Sequence, residues 1–387
     1  MRILSYTALL AAACLLLPAC SNEDEVMNHD SPSLDAMVGD SEVEIKLSST
    51  ASATRASING NSYGAFDVNG VGIFCVAKGK QNPEINPPTP DIDWTRYGEY
   101  GKTDVLLSNL RANAVASPKP VEKQTELGDT LETSIVWEDA EAHYFYPISN
   151  WYKYDFYGYY PVQDDANVII SPDEINVYME IDGTQDVLLG LATSDDEYAY
   201  SAKYFRTAEH EVPNMLFFHR LSRFTFTVEA GMDYTGSKAN ATRMKVSKIE
   251  VLDMPYKILM TVASNTDTYG GIYYDRDFVM DFELRDENNE PFEPVQVSET
   301  ERRQVGESLM VLHGMDTYGL RITLEDENGN EYISEFPLSI SSHIEEGTTQ
   351  LGHSYNINMT VYGPQEIKLN ATLLPWIIEE TDIPIEL

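Results

Sequence analysis

The sequence predicts an all-β fold made of β-sandwiches, and three observations lead to this prediction. Runs in which apolar and polar residues alternate recur along the chain. In RFTFTVEA, for example, Phe224, Phe226 and Val228 share one side, as in a half-buried strand. Gly, Pro, Asn and Asp separate these runs, which is typical of sandwiches with many short strands. Helical periodicity is scarce; SPDEINVYME, with Ser171 as N-cap and Pro172 at the first helical position, predicts one short helix.

The N-terminus carries an export signal. After Met1 and Arg2, an apolar run over residues 3–19 is too short to predict a membrane span. The run ends in LPAC, which resembles a bacterial lipobox and predicts that residues 1–19 are removed as a signal peptide and that Cys20 is acylated. The alternative is an ordinary secretory signal followed by a chance cysteine. The acidic tract SNEDEVMNHD comes next and is similar to the surface-export tracts of Bacteroidetes lipoproteins.

A tether and the first strand follow the signal. Residues 21–40 are polar and acidic without periodicity, which is typical of a flexible tether. SEVEIKLSS then places Val43, Ile45 and Leu47 on one face and charged residues on the other, so it predicts a half-buried strand. Arg55 stands alone among Ser, Ala, Thr, Asn and Gly in SSTASATRASINGNS. An isolated arginine in such a pliable stretch favours proteolysis.

Further strands are predicted to the end of the chain. GVGIFCVA is one of them, and we expect its Cys75 to be a small core residue, because the mature chain keeps no second cysteine for an internal disulfide. Gly270-Gly271 predicts a tight turn, and Asn328-Gly329 predicts the turn of a hairpin between two alternating strands. HSYNINMTVYG and EIKLNATLLPW predict two late strands.

Length and composition limit the classes of protein that the chain can represent. Its 387 residues allow about two or three domains of ~150 residues each, and the polar stretch EHEVPN predicts a junction near residue 210. The formal net charge of −37, from 63 acidic and 26 basic residues, repels polyanions, so nucleic acid is not an expected partner. The 24 Tyr, 13 Phe and 4 Trp residues argue against global disorder.

The sequence contains no recognisable catalytic or metal-binding motif. The 7 histidines are scattered without the spacing of a zinc site, and we find no nucleophile elbow, P-loop or complete dinucleotide fingerprint. His219 lies between large apolar residues in FFHRLSRF; we interpret it as a hydrogen-bonded structural residue rather than as a catalytic base. The sequence therefore predicts neither an enzyme nor a cofactor.

The densest aromatic stretch, HYFYPISNWYKYDFYGYYPV, covers residues 143–162. Rings exposed at a surface can stack on sugars, whereas the same residues inside a sandwich fill its core while the Tyr hydroxyls find partners at its rim. We favour the core. The alternative is a surface glycan-binding lipoprotein whose affinity for glycans would be lost on Trp151→Ala.

Several stretches, in order along most of the chain, together resemble the Bacteroidetes fimbrillins, the lipoprotein precursors of type V pilus subunits. These stretches are LPAC, ATRASINGNSYGAFDVNGVGIF, YPISNWYKYDFYGYYP, QDVLLG, LFFHRLSRFTFTV, SKIEVLDM, GHSYNINMTV and the late LPW. The resemblance implies two transthyretin-like β-sandwich domains in series, at residues 56–210 and 211–387 of this chain. It also implies a structural, adhesive role in surface fimbriae.

The resemblance further implies a maturation pathway. A fimbrillin precursor is exported to the outer membrane as a lipoprotein, and an Arg-specific protease then cuts it in the loop behind the first strand. In this chain the cut would follow Arg55 and make Ala56 the new N-terminus. It would remove residues 20–55, which include the tether and the first strand. An anchor subunit that keeps both its lipid and this strand is a further alternative.

Loss of the first strand would leave a hydrophobic groove and unpaired backbone groups along a sheet edge. Another copy of the chain, or a related subunit, could fill the groove with a strand of its own, and because this contact does not close on itself it would propagate as a filament. Residues 381–387 are a candidate donor, because Ile383, Ile385 and Leu387 share one face with the spacing found in the first strand. The alternative is that this segment is the last strand of its own domain.

Overall fold

The computed structural model has an almost entirely β architecture, which confirms the predicted fold class. It describes residues 42–51, 68–78, 92–98, 103–116, 133–147, 152–196, 198–207, 210–266, 268–340, 348–364 and 366–374. The strands in these ranges are β1 (Ser48–Ala51), β2 (Val68–Lys78), β3 (Val105–Ala116), β4 (Thr133–Trp137), β5 (Lys153–Tyr160), β6 (Val168–Ile170), β7 (Glu174–Glu180), β8 (Leu188–Ala192), β9 (Asn214–His219), β10 (Ser222–Ala230), β11 (Lys245–Pro255), β12 (Lys257–Ser264), β13 (Ile272–Tyr274), β14 (Val279–Glu283), β15 (Val295–Gln296), β16 (Arg303–Val311), β17 (Thr317–Glu325), β18 (Glu331–Ser339), β19 (Ser354–Gly363) and β20 (Glu366–Leu374). A single α-helix, α1 (Ala202–Thr207), lies within the same ranges.

Seven strands form a closed barrel in the order β1-β4-β3-β2-β5-β8-β9. Neighbouring strands are antiparallel except at the closure, where β1 is antiparallel to β4 and parallel to β9. The barrel interior is apolar because alternate residues of its strands point inward; Ile73 and Cys75 of β2 meet Phe156 of β5 and Phe217 of β9 there. The interpretation of Cys75 as a core residue is confirmed, since its side chain is fully buried.

A second sheet, in the order β13-β12-β7-β6, includes strands from both sides of residue 210. The prediction of a helix at SPDEINVYME is wrong, because this stretch forms β7. Ile175, Val177 and Met179 are buried at every second position, so the apolar period of two prevails over the local helix signals. Those signals mark the turn before β7 instead, where Ser171 Oγ donates a hydrogen bond to the carbonyl of Glu174 at 2.9 Å.

Two further sheets make a sandwich in the C-terminal part of the chain. One has the order β16-β10-β19-β20 and the other the order β14-β11-β17-β18, with β15 pairing with β11. Aromatic residues join their inner faces: the rings of Phe224 and Tyr318 meet edge-to-face with centroids 4.8 Å apart. The hairpin predicted at Asn328-Gly329 is confirmed, since β17 and β18 pair along their whole length on either side of this turn.

Two hydrophobic clusters hold these layers together. The smaller fills the barrel, and the larger extends from the outer face of the barrel, through the second sheet, into the sandwich. The predicted junction near residue 210 falls between α1 and β9, while the larger cluster contains residues from both sides of it. The division into two domains therefore stays a prediction. No helix in the described ranges is both long and apolar enough to cross a membrane.

Candidate functional site

The N-terminal segment, residues 42–51, occupies the place where the barrel closes. Ile45 and Leu47 are buried in the barrel interior, 1% and 5% exposed, and Val43 packs against the same cluster while half-buried. Glu42 and Lys46 face solvent. The alternation seen in the sequence therefore corresponds to an inward apolar face and an outward charged face.

Backbone hydrogen bonds join this segment to the parts of the barrel that lie on either side of it. On one side, Ile45 N–H donates to the carbonyl of Tyr144 at 2.7 Å and Leu47 accepts from Ile135 N–H at 3.2 Å. On the other side, Ser48 N–H donates to the carbonyl of Pro213 at 3.0 Å, and β1 then continues parallel to β9. Removing the segment would leave the facing edges of β4 and β9 without these partners.

Polar side chains on the outer face add weaker contacts. Glu44 accepts hydrogen bonds from Lys46, at 2.8 Å, and from His143; these bonds, the one from Lys46 first, lower the pKa of the Glu44 carboxyl. Ser48 Oγ donates to Oδ1 of Asn214 at 3.1 Å. Contacts of this kind at the surface are worth little, so the segment is held mainly by its buried side chains and its backbone.

The other predicted site residues lie outside the described ranges. They are Cys20, Arg55, Ala56, Ile383, Ile385 and Leu387. Arg55 belongs to the connection between β1, which ends at Ala51, and β2, which begins at Val68. The candidate donor segment follows β20, an edge strand whose only strand partner in the described part of the chain is β19.

The aromatic stretch is mostly core where the structure describes it. The side chains of Tyr154, Phe156, Tyr157 and Tyr159 in β5 are fully buried, and the strand lies between the two hydrophobic clusters. Trp151, which the glycan-binding alternative would use, is outside the described ranges. Four of the five aromatic residues of β5 are therefore inaccessible to a sugar, and the fifth, Tyr160, is half-buried.

The surroundings of His219 agree with its interpretation as a buried, hydrogen-bonded residue. It is buried at the end of β9, where its Nδ1 contacts a carboxylate oxygen of the equally buried Asp186. Among the described residues, no group of three or more His, Cys, Asp or Glu side chains is arranged to hold a metal ion.

Sequence reasoning missed two features of this region. The first is the strand partner β9, because the parallel pairing of β1 joins residues such as Ser48 and Asn214, which are 166 positions apart along the chain. The second is a buried ion pair between Lys78 and Asp155 on the outer face of the barrel. The signal for it was present: Asp155 interrupts the aromatic residues of KYDFYGYY on the face that also carries Tyr157 and Tyr159.

These features define a class of protein: an all-β protein whose first strand completes a barrel that later strands build. The chain belongs to the fimbrillin-like family, whose family model matches residues 54–376. Membership supports a fimbrial subunit that has a structural role in adhesion at the cell surface and assembles with related subunits. No functionally curated protein matches the sequence.

Several solved structures of low sequence identity align with this chain over most of its length. A candidate cell adhesion protein from Bacteroides uniformis is 12% identical and has a TM-score of 0.47, with 88% of this chain and 100% of that chain covered. A fimbrial assembly protein from Parabacteroides distasonis is 10% identical, with a TM-score of 0.39 and coverages of 86% and 99%. The fimbrial anchor protein Mfa2 from Porphyromonas gingivalis is 10% identical, with a TM-score of 0.31 and the same coverages.

Proposed function

We propose that this protein is a fimbrillin-type pilin that polymerises by strand exchange after losing its N-terminal segment. The observation that carries the proposal is the position of this segment: it closes the barrel between β4 and β9 and hydrogen-bonds to both sides. A vacancy there has two sheet edges and an apolar floor, which are the elements that a strand from another subunit requires.

The vacancy is energetically costly, which gives assembly its driving force. Burying an Ile or Leu side chain stabilises a fold by ~1.5–3 kcal/mol, so Ile45 and Leu47 together contribute roughly 3–6 kcal/mol. A replacement strand with aliphatic side chains at the same spacing recovers this burial energy and pairs the backbone groups of β4 and β9. The entropy lost when the incoming strand becomes ordered opposes this gain.

The cut that creates the vacancy is proposed after Arg55. Between the end of β1 and the start of β2 this residue is the only arginine in the sequence, and cleavage there would leave the N-terminal segment attached by noncovalent contacts alone. Arg111 and Arg303 lie within β3 and β16 and form ion pairs with Asp164 and Glu301. A protease needs an extended segment that enters its cleft, so these strand residues are protected.

The remaining steps follow from the same scheme. Cys20 carries the lipid that holds the precursor at the outer membrane until cleavage, and Ala56 becomes the N-terminus of the mature subunit. Ile383, Ile385 and Leu387 enter the vacated site of the next copy, because they repeat the spacing of the buried positions in the N-terminal segment.

N-terminal sequencing of the protein from cells, together with gel analysis of unboiled samples, tests this scheme. We expect a sequence that starts at Ala56 and a ladder of SDS-resistant multimers, both lost in Arg55→Ala. The control is Arg302→Ala, which removes an exposed arginine paired with Glu229 and should leave cleavage and ladder intact.

Two results would contradict the scheme in different ways. A protein that keeps a blocked Cys20 in the fimbriated cell would be an anchor subunit rather than a shaft subunit. A protein that starts at Ala56 but remains monomeric, and is as heat-stable as its precursor, would show that cleavage leaves no vacancy. Ile385→Asp separates the two steps, because it should allow cleavage and abolish the ladder.

A further inference from the structure

A lysine and an aspartate are buried together on the outer face of the barrel. Lys78 ends β2 and Asp155 lies on the neighbouring strand β5, opposite Val76 in the register. Lys78 follows Val76 by two residues, so both point to the same face of the sheet as Asp155. Lys78 Nζ lies 3.5 Å from Asp155 Oδ2, and the two side chains are only 9% and 2% exposed.

Aromatic rings surround the amine. Lys78 Nζ donates a hydrogen bond to the hydroxyl of Tyr157 at 3.1 Å and lies 5.8 Å from the ring centroids of both Tyr157 and Tyr269. These rings replace much of the water that would solvate an ammonium group. The amine thereby lies beside the Asp155 carboxyl group in largely apolar surroundings.

Burial makes the charged form of the carboxyl group more costly than it is in water; the charges of Lys78 and Lys153 and a backbone hydrogen bond from Ser194 act in the opposite direction. Burial is the largest influence on Asp155 and raises its pKa, although Lys78 opposes this shift. Within the described part of the chain, Oδ1 of Asp155 accepts no hydrogen bond. A buried ion pair of this kind loses hydration on both sides, and transfer of a proton from the ammonium to the carboxylate leaves a neutral amine beside a neutral acid.

We propose that Lys78 and Asp155 condense to an intramolecular isopeptide bond. The lone pair of the neutral Lys78 Nζ attacks Asp155 Cγ, and an N–C bond forms. The bond from Cγ to its hydroxyl oxygen then breaks, and this hydroxyl leaves with one amine proton as water. One amide and one water replace one amine and one acid, so no oxidant, reductant or co-reactant is needed.

Position and burial both favour this reaction. Groups held at near-contact distance react with effective concentrations of about 10⁵–10⁸ M, and a site that excludes water disfavours hydrolysis of the product. The Tyr157 hydroxyl, which already accepts a hydrogen bond from the amine, positions Nζ for the attack. Burial strongly raises the pKa of this hydroxyl, so it keeps its proton.

The bond would lie at the centre of the barrel wall. Without β1 the barrel becomes a row of six strands, β4-β3-β2-β5-β8-β9, and β2 and β5 are its two middle strands. A covalent link between them would hold the wall together while the closing strand is exchanged. The chemistry itself does not depend on the fimbrial role.

Mass spectrometry of the folded, purified chain tests the proposal. We expect the denatured protein to be lighter by one water than the mass calculated for the residues and modifications that it carries. We also expect a tryptic digest to yield a branched peptide in which the Lys78 segment is attached to the Asp155 segment, with no cleavage after Lys78. Lys78→Arg and Asp155→Ala should each restore the full mass.

A matched control lies nearby. Lys153 pairs with Asp195 at 3.9 Å, but their side chains are 24% and 114% exposed, so Lys153→Arg should leave the branched peptide unchanged. A wild-type chain of full mass that yields separate linear peptides would overturn the proposal. A loss of one water without a branched peptide, as from a succinimide at Asp182-Gly183, would also overturn the proposal. Both results come from the wild-type chain, so neither depends on whether a variant folds.

Discussion

At the scale of single residues, the barrel interior is sensitive to volume because its strands approach closely. Ile45 is buried in this interior, and a Cβ atom at Gly190 would lie only 2.5 Å from Cε1 of Phe217. Position 45 must therefore keep a large side chain, whereas position 190 must remain glycine. Both requirements follow from close packing, which leaves little room for adjustment.

Ile45→Ala should destabilise the uncleaved precursor, studied in the Arg55→Ala background, by about 2–5 kcal/mol, because it leaves a cavity in the barrel. Denaturant unfolding measures this free energy. Glu42→Ala, at an exposed position of the same segment, should change it by less than about 0.5 kcal/mol. Equal effects of the two substitutions would mean that the segment is not held by its apolar face.

Gly190→Ala should destabilise the protein by about 1–3 kcal/mol, because the added methyl group meets the rigid ring of Phe217. The midpoint of thermal unfolding reports the change. The matched control is Gly363→Ala at the end of β19, where, apart from the adjoining residues, no atom of the described part of the chain lies within 4 Å of the added Cβ. An unchanged midpoint for Gly190→Ala would show that β8 and β9 can separate freely.

At the scale of elements, the β17–β18 hairpin shows how a turn fixes a strand register. Asp326 accepts hydrogen bonds from the backbone N–H groups of Asn328 and Asn330, at 2.8 and 2.9 Å, and from the side chain of Asn330 at 2.9 Å. These bonds, the side-chain bond from Asn330 first, lower the pKa of Asp326 to about 2.

The hairpin should therefore loosen only in strong acid. A carboxyl with a depressed folded-state pKa contributes stability above its unfolded-state value of about 3.9, and this contribution is lost as the pH falls through the folded-state value. NMR titration of the Asp326 carboxyl should give a midpoint near 2 in the wild type and a higher one in Asn330→Ala. A wild-type midpoint near 4 would contradict the hydrogen bonds described.

Elements were predictable from sequence where local pattern and tertiary environment agree. The alternation in RFTFTVEA and the Asn328-Gly329 turn correctly predicted β10 and the β17–β18 hairpin, since period and turn chemistry act over a few residues. The helix prediction based on Ser171 and Pro172 was wrong because serine and proline begin helices and also form turns. The alternation of the N-terminal segment was visible, but its two partners were not, because pairing with β4 and β9 depends on residues far away in sequence.

At the scale of the whole molecule, the charge of the chain opposes the association of subunits. The full chain has a net charge of −37, and residues 56–387, with 55 acidic and 23 basic residues, keep −32 of it. Like-charged surfaces repel over a Debye length, which is about 30 Å at 0.01 M salt and about 8 Å at 0.15 M. The proposed strand exchange would gain its energy from short-range burial of apolar side chains, which this change in salt concentration does not weaken. Electrostatic repulsion between the approaching subunits should therefore be the main barrier to assembly.

Polymerisation of the trimmed subunit should accordingly be several-fold faster at 0.15 M salt than at 0.01 M. Light scattering follows the rate. Trimmed Ile385→Asp serves as the control, because it should remain monomeric at both salt concentrations and so distinguish exchange from nonspecific precipitation. A rate that is independent of salt would mean that the joining surfaces carry little of the net charge.

The mixed pairing of β1 has a directional consequence. A replacement strand that takes over the pairing of β1, as proposed, would run parallel to β9 and antiparallel to β4, and reversal would exchange these two relationships. If each copy enters its neighbour in this single orientation, all copies in a fibre point the same way. The fibre then has a head and a tail, and new copies can add at one of them while the other stays fixed.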